Sequence, residues 1–268
     1  MTIDFGAPDR VSFTLDRDGV AQLRLNRADK LNALDPAMFD ALIGAGAALA
    51  DMPGLRCVVM AGEGRGFCAG LDLASMAGDL AKGVPLTERS HGLANRFQQA
   101  ALAWRLLPVP VIVAVHGVCL GGGLQIAAGG DVRVIAPDAK LAVMEMKWGI
   151  VPDMGGFALW RGCVRDDVLR DLTYTNRSFT GAAALDLGFA TMLDADPLAR
   201  AQAIAREIAQ RNPHAVRAAK ALFNRAPDLD LAQILIAESE AQARLLGTPN
   251  QIEAVASQMA GRAGIFAD

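Results

Sequence analysis

Val111-Ile112-Val113-Ala114-Val115-His116-Gly117-Val118-Cys119-Leu120-Gly121-Gly122-Gly123-Leu124-Gln125 sits inside the longest uncharged stretch of the chain, Leu106 to Gly130. That stretch is long enough to raise the question of a membrane span, but Pro108, Pro110, His116 and its glycines interrupt it. It reads instead as a buried strand, a glycine-rich turn and the start of a helix. The same unit stands upstream, where Cys57-Val58-Val59-Met60-Ala61 is a short apolar run leading into a second glycine-rich turn at 62–72. Between the two, a helix with Glu88 in its first turn is expected to run to about Leu107.

Working outward, Val11–Leu15 and Val20–Leu25 alternate apolar and polar residues across Asp16-Arg17-Asp18-Gly19, the pattern of an opening hairpin. Asp35 followed by Pro36 is an N-cap with proline at the first helical position, launching a helix to about Ala50. A third short strand pair is expected near 132–136 and 140–143. Strand–helix–strand alternation places the chain in the α/β class with a parallel sheet. From about Pro197 the strands stop, and four helical stretches follow, punctuated by Pro213, Pro227 and Pro249. The expected organisation is a core over 1–196 and a helical region over 197–268, whose apolar faces must pack on the core or on another subunit.

Of the 268 residues, 52% are hydrophobic and 21% charged, a composition that excludes a disordered chain. The 26 basic and 29 acidic residues give a net charge of −3 without a Lys/Arg run, which argues against nucleic acid or an anionic membrane surface as partner. The first ten residues lack a basic segment followed by an apolar one, so a cytoplasmic location is expected. Cys57, Cys68, Cys119 and Cys163 show no CxxC spacing and read as reduced thiols, while His91, His116 and His214 are not clustered and no metal is expected. His116 reads as a structural hydrogen-bonding group. Trp104, Trp148 and Trp160 read as core or pocket wall.

The two glycine turns match neither a dinucleotide fingerprint nor a phosphate-binding loop. Glycine at a strand-to-helix turn lets the backbone approach a ligand, and a helix N-terminus leaves N–H groups free. Two such turns on adjacent strands can aim amides at one oxygen, the arrangement of an oxyanion hole. The alternative is that the glycines serve close helix–strand packing.

Asn26 to Leu34, Phe67 to Leu73, Gly121-Gly122-Gly123, Glu145 to Gly156 and the ending Arg262-Ala263-Gly264-Ile265-Phe266 together resemble the enoyl-CoA hydratase/isomerase (crotonase) superfamily, in its usual order. The resemblance implies a spiral of ββα units followed by a helical C-terminal trimerisation region, with a homo-oligomer that is a trimer or a dimer of trimers. It implies an acyl-CoA thioester as substrate, so that coenzyme A enters as part of the substrate and no other cofactor is required. The amides holding the thioester oxygen would fall on Ala69 and Gly122. Lys30, Leu31 and Ala33, with Leu71 and Asp72, would contact coenzyme A, and Arg262 and Phe266 could approach its adenine end, sometimes across a subunit boundary.

Thioester α-proton chemistry also needs a positioned base. The hydratases of the family use two glutamates. At the first position stands Gln125, which is expected to contact the substrate and can hydrogen-bond a water but cannot take its proton as a carboxylate would. At the second, Glu145 is intact, and Met144, Met146 and Trp148 around it suggest an apolar setting that raises its pKa. Asp153 is a second candidate acid, at a position where the dienoyl-CoA isomerases carry an aspartate; it could equally be the N-cap of a helix beginning near Gly155. Glu145 could instead be a structural carboxylate in a salt bridge. The expected activity is double-bond isomerisation by proton shuttling. The alternatives are hydration and a non-catalytic acyl-CoA-binding protein.

Overall fold

A computed structural model describes residues 9–76, 83 and 85–268. The opening hairpin forms as expected, with Val11–Leu15 (β1) antiparallel to Val20–Leu25 (β2). The Asp16 carboxylate closes its turn by accepting from the Asp18 and Val20 amides, both at 2.9 Å. Helix Pro36–Ala50 (α1) starts at Asp35, whose Oδ1 accepts from Met38 N at 2.8 Å. The apolar runs Cys57–Gly62 (β3) and Val111–Val115 (β4) are buried throughout, because each has a strand on either side and helices over both faces. With Val132–Ile135 (β6) and Met192–Leu193 (β9) they form a sheet in the order β1-β2-β3-β4-β6-β9, parallel apart from the hairpin.

A smaller sheet joins Val118–Leu120 (β5), Lys140–Ala142 (β7) and Phe179–Thr180 (β8). Two single bridges, Cys68 to Cys119 and Leu34 to Leu71, extend it backwards along the chain. Each circuit of the chain therefore lays one segment in the large sheet, turns a corner, lays a second in the small sheet and enters a helix. This is the expected spiral of ββα units. It also corrects one expectation: the segments near 132–136 and 140–143 are both strands but do not pair with each other. β6 bonds β4 and β9, whereas β7 bonds β5 and β8, because the corner between them carries the chain from one sheet to the other. At the equivalent corner in the preceding circuit stands Gly117, with φ +59 and no room for a Cβ against the Arg65 carbonyl.

A second correction concerns the helix before β4. Arg96–Leu106 (α2) begins at Asn95, whose side chain and that of Gln98 form a reciprocal capping box, so Glu88 lies ahead of the helix and not in its first turn. Residues 77–82 and 84, between the glycine turn at 62–72 and α2, lie outside the described residues. So do residues 1–8, on which the reading of the N-terminus rests.

Gly122–Ala128 (α3), Gly156–Trp160 (α4), Asp166–Thr175 (α5) and Gly181–Leu187 (α6) complete the core. Four helices follow, Pro197–Ala209 (α7), Pro213–Arg225 (α8), Leu231–Leu245 (α9) and Pro249–Met259 (α10). Ala201 and Ala205 of α7 pack against Val59, Ile112, Ala114 and Val134 on one face of the large sheet. Helix α8 is fastened by Lys220, whose ammonium donates to the carbonyls of Trp104 and Val109 and to Asp131 at 3.1, 2.8 and 2.8 Å. Among the described residues no helix is long and apolar enough to cross a membrane.

Candidate active site

The two glycine turns leave the same ends of β3 and β4 and lie side by side. Phe67 N and Cys68 N donate to the carbonyls of His116 and Val118, and Leu120 N donates back to Cys68 O, all at 3.0 Å. His116 adds a side-chain link, its Nε2 lying 2.9 Å from Gly64 O. From the other side the buried Asn32 amide donates to Glu63 O and Gly66 O, both at 2.9 Å.

Accounting for the amides along 68–72 decides which can hold an oxygen. Ala69 N donates to Leu31 O at 2.9 Å, and Asp72 N to Leu34 O at 3.0 Å. The Ala69 amide expected in the oxyanion hole is thus engaged in the fold, facing the Leu31 segment. Leu71 is the residue bridged to Leu34, and in a parallel bridge the neighbours on either side make the bonds, which turns its own N–H outward. The Leu71 and Gly122 amides have no acceptor among the described residues. The turns approach closely there: a Cβ built on Gly70 would lie 3.6 Å from Gly122 N. Gly122 is walled by Leu34 and Met154, whose Cδ1 and Sδ would lie 2.9 and 2.8 Å from a Cβ at that position.

Glu145 opens a short 3-10 turn beside this hole and is 6% exposed. Its Oε1 accepts from Gln125 Nε2 at 2.6 Å, while its Oε2 is buried without a hydrogen-bond partner. Burial pushes the carboxyl pKa up, more than hydrogen bonds from its own amide, Gln125 and Met144 lower it, and Asp153 adds a further upward push. No cation pairs with it among the described residues, so the salt-bridge alternative is not what the structure shows. At Gly121, with φ +50, a Cβ would lie 3.5 Å from Glu145 Oε1, which places the carboxylate directly against the triple-glycine turn.

Gln125 is completely buried, and its Oε1 accepts from Met154 N at 2.9 Å and Gly156 N at 3.0 Å. Both lone pairs of the carbonyl are occupied, so the substrate contact expected from it is not available through that oxygen. Asp153 is half-buried, and burial raises its pKa. It caps nothing: Gly155, with φ +88, holds the cap position of α4, and no side chain bonds there. Trp148, expected in an apolar setting, is 51% exposed with the Lys147 ammonium 5.2 Å from its ring centre; Trp104 and Trp160 are buried.

Lys30, Leu31, Ala33, Leu71 and Asp72 come together along one rim, stitched by Ala69 N to Leu31 O, Leu34 N to Gly70 O and Asp72 N to Leu34 O. Lys30 is exposed. The Asp72 carboxylate bonds Ser75 and Arg27, which hold its pKa down at about 2.

The enoyl-CoA hydratase/isomerase family model matches residues 16–257, a span that holds the strands, both glycine turns and Glu145. The chain belongs to the enoyl-CoA hydratase/isomerase family. Among members of this family, a putative enoyl-CoA hydratase/isomerase of Bacillus subtilis is 29% identical over 96% of this chain and 98% of its own. The mitochondrial Delta(3,5)-Delta(2,4)-dienoyl-CoA isomerase of Rattus norvegicus is 28% identical over 79% of this chain and 68% of its own. The crystal structure of a putative enoyl-CoA hydratase from Streptomyces coelicolor superposes with a TM-score of 0.88 at 28% identity, covering 96% of this chain and 94% of that one.

Arg262 and Phe266 stand away from the glycine turns of their own chain. Arg262 is held by both oxygens of Glu253 at 2.6 and 2.9 Å, and the Phe266 carbonyl accepts from Arg56 at 3.2 Å. Arg56 immediately precedes β3, whereas the glycine turns follow it, so the C-terminal segment docks at the opposite end of the strands, about 17–20 Å away. The Phe266 ring folds over Gly264, whose added Cβ would lie 2.5 Å from Cζ. Conversely, Asn176 was not legible as a site residue. With its amide oriented to satisfy both groups, it donates to Val143 O and Met144 O at 2.9 and 3.2 Å and anchors the backbone entering Glu145. Its left-handed conformation after α5 is the one local signal it gives. Cys57, Cys68 and Cys119 are buried free thiols and Cys163 is exposed. Among the described residues no three His, Cys, Asp or Glu side chains are grouped to hold a metal ion.

Proposed function

We propose that the chain isomerises a double bond in an acyl-CoA thioester. The thioester oxygen is held by the Leu71 and Gly122 amides. Glu145 Oε2 removes the α-proton of a 3-enoyl thioester, the charge spreads into a dienolate, and the same carboxyl returns the proton at the γ-carbon. Electrons and protons balance within the substrate, so the reading calls for no metal or redox cofactor, and coenzyme A remains part of the substrate. Asp153 is the second carboxyl, available where a conjugated dienoyl chain needs a proton farther along. The 197–268 region is assigned to self-association as a trimer or dimer of trimers, through exposed residues such as Leu235, Ile236, Ile252 and Met259.

One observation carries the preference over hydration. Glu145 has a buried oxygen with no partner, while the carbonyl of Gln125 already accepts two N–H groups and has no lone pair for a water proton. The test is mass-resolved incubation of wild-type protein and Glu145→Gln with 3-enoyl- and dienoyl-CoA thioesters in deuterated water. Wild type is expected to convert the 3-enoyl to the conjugated 2-enoyl thioester without the added mass of water, taking up deuterium only as far as the shuttled proton exchanges with solvent, and the variant to lose about 10²–10⁴ in turnover. Full turnover by Glu145→Gln refutes the mechanism, and addition of water to the product replaces isomerisation with hydration. Because burial raises the Glu145 pKa and the base must be ionised, kcat/KM is expected to fall with decreasing pH at a higher pH than an ordinary glutamate would give.

A further inference from the structure

Two acids that act on one substrate must be held at a fixed separation, and Glu145 and Asp153 reach the site on different segments. Glu145 stands at the head of a 3-10 turn, and Asp153 lies in an irregular stretch ahead of α4. Among the described residues neither carboxylate forms an ion pair that would fix it. What the two segments share is Gln125. Its nitrogen donates to Glu145 Oε1 at 2.6 Å, and its oxygen accepts from the amides immediately after Asp153 and one residue beyond Gly155, at 2.9 and 3.0 Å.

We propose that Gln125 is the positioning residue of the site, one completely buried side chain that sets the aim of Glu145 and the path of the backbone carrying Asp153. The orientation of its amide is unambiguous, since two N–H donors face the oxygen and a carboxylate faces the nitrogen. With Oε1 of Glu145 held, the proton in transit is confined to Oε2. The chemical demand at this position is therefore a neutral group with a donor on one side and a double acceptor on the other. Glutamine meets it, and so does a protonated carboxylic acid. A leucine of similar size meets neither half, and an ionised carboxylate meets only the acceptor half while repelling Glu145.

This inference rests on the proposed proton shuttle and is tested so that the two fail separately. Wild type, Glu145→Gln, Gln125→Leu and Gln125→Glu are compared by the rate at which trans-3-hexenoyl-CoA becomes the conjugated 2-enoyl thioester across pH. The Glu145 carboxyl is also titrated by carbon NMR, its signal assigned by its absence from Glu145→Gln. Gln125→Leu is expected to lose about 10²-fold in kcat on the alkaline plateau with KM little changed, as misplacement of a reacting group does, and to lose more at lower pH as the acid limb moves up with Glu145. Gln125→Glu is expected to keep substantial kcat while the pair shares one proton, and to lose it along a new alkaline limb as the second proton leaves. The Glu145 titration is expected to move upward in Gln125→Leu, because a hydrogen bond to the charged form is gone. Wild-type kcat in Gln125→Leu, or an unmoved Glu145 titration, overturns the positioning role. Equal turnover by wild type and Glu145→Gln overturns the shuttle itself, and then the titration alone decides whether Gln125 holds Glu145.

Discussion

Alanine at each of the three consecutive glycines, 121, 122 and 123, gives three different outcomes for one chemical change. At Gly123 the new Cβ would lie 2.7 Å from both the Cβ and the carbonyl oxygen of Cys68, which are parts of a strand bridged to Cys119 and cannot yield. At Gly122 it would meet Met154 Sδ at 2.8 Å and Leu34 Cδ1 at 2.9 Å, both ends of side chains that can rotate. At Gly121 the positive φ of 50 disfavours any Cβ, and Glu145 stands behind it. Overpacking typically costs about 1–3 kcal/mol, and alanine in a helix returns up to about 1 kcal/mol. Gly122→Ala is therefore expected within about 1–2 kcal/mol of wild type, whereas Gly123→Ala loses more than that, at about 2–4 °C of melting temperature per kcal/mol. Activity runs the other way for the folded fraction: Gly122→Ala narrows the slot beside the substrate-facing amide and loses turnover while remaining folded. Thermal unfolding followed by circular dichroism, with conversion of a 3-enoyl to the conjugated 2-enoyl thioester on the same samples, measures both. A Gly122→Ala protein that unfolds as readily as Gly123→Ala, or one that keeps full turnover, refutes the placement of that amide at the reacting oxygen.

Lys220→Met is expected to destabilise by about 1–3 kcal/mol in urea unfolding, since it leaves two carbonyls without their donor and Asp131 with only the Val111 amide, with turnover per folded molecule unchanged. Asp72 has a folded pKa of about 2, below its unfolded value of about 3.9, so its contribution is present above the unfolded pKa and is lost as pH falls through the folded one. Asp72→Asn should flatten the stability–pH curve in that window and nowhere else. Deleting Asp268 removes the acceptor for Gly54 N and Arg217 and should lower stability by about 1 kcal/mol or less. An increase in KM for acyl-CoA after that deletion would place the C-terminus at the substrate, contrary to its docking at the far end of the strands.

Strands β3 and β4 were legible because an unbroken apolar run ending in glycine has few other uses, and α1 because aspartate and proline mark its first turn. Glu145 was legible through the family resemblance, which puts a glutamate about twenty residues after the one at the glycine turn, and its apolar neighbours pointed to the raised pKa. The choice between the Ala69 and Leu71 amides was not. It depends on which side of the chain each peptide faces, and the left-handed Gly70, with φ +86, resets that alternation in a way that residue types do not display. The partners of Gln125 lie 20, 29 and 31 residues away, beyond any local pattern. The strands at 132–135 and 140–142 were found as elements but paired wrongly, because a sequence shows a turn between strands without showing that the turn changes sheets. The exposure of Trp148 follows from its place at the outer end of a short turn, where the apolar neighbours that suggested burial face another way.

The spiral has a kinetic corollary. Parallel neighbours in the large sheet are reached only after a full circuit, β2 at 20–25 pairing with β3 at 57–62 and β3 with β4 at 111–115. Apart from the hairpin, no strand can find its partner locally, so loop-closure entropy opposes every pairing before burial rewards it, and slow refolding is expected. During synthesis the edge most recently laid down stays open until the next circuit emerges, and β6 is not flanked until Met192–Leu193 arrives. Chains stopped anywhere before that point carry an uncovered apolar edge and should aggregate, whereas the site, which draws on four successive circuits, becomes a late reporter of completed folding.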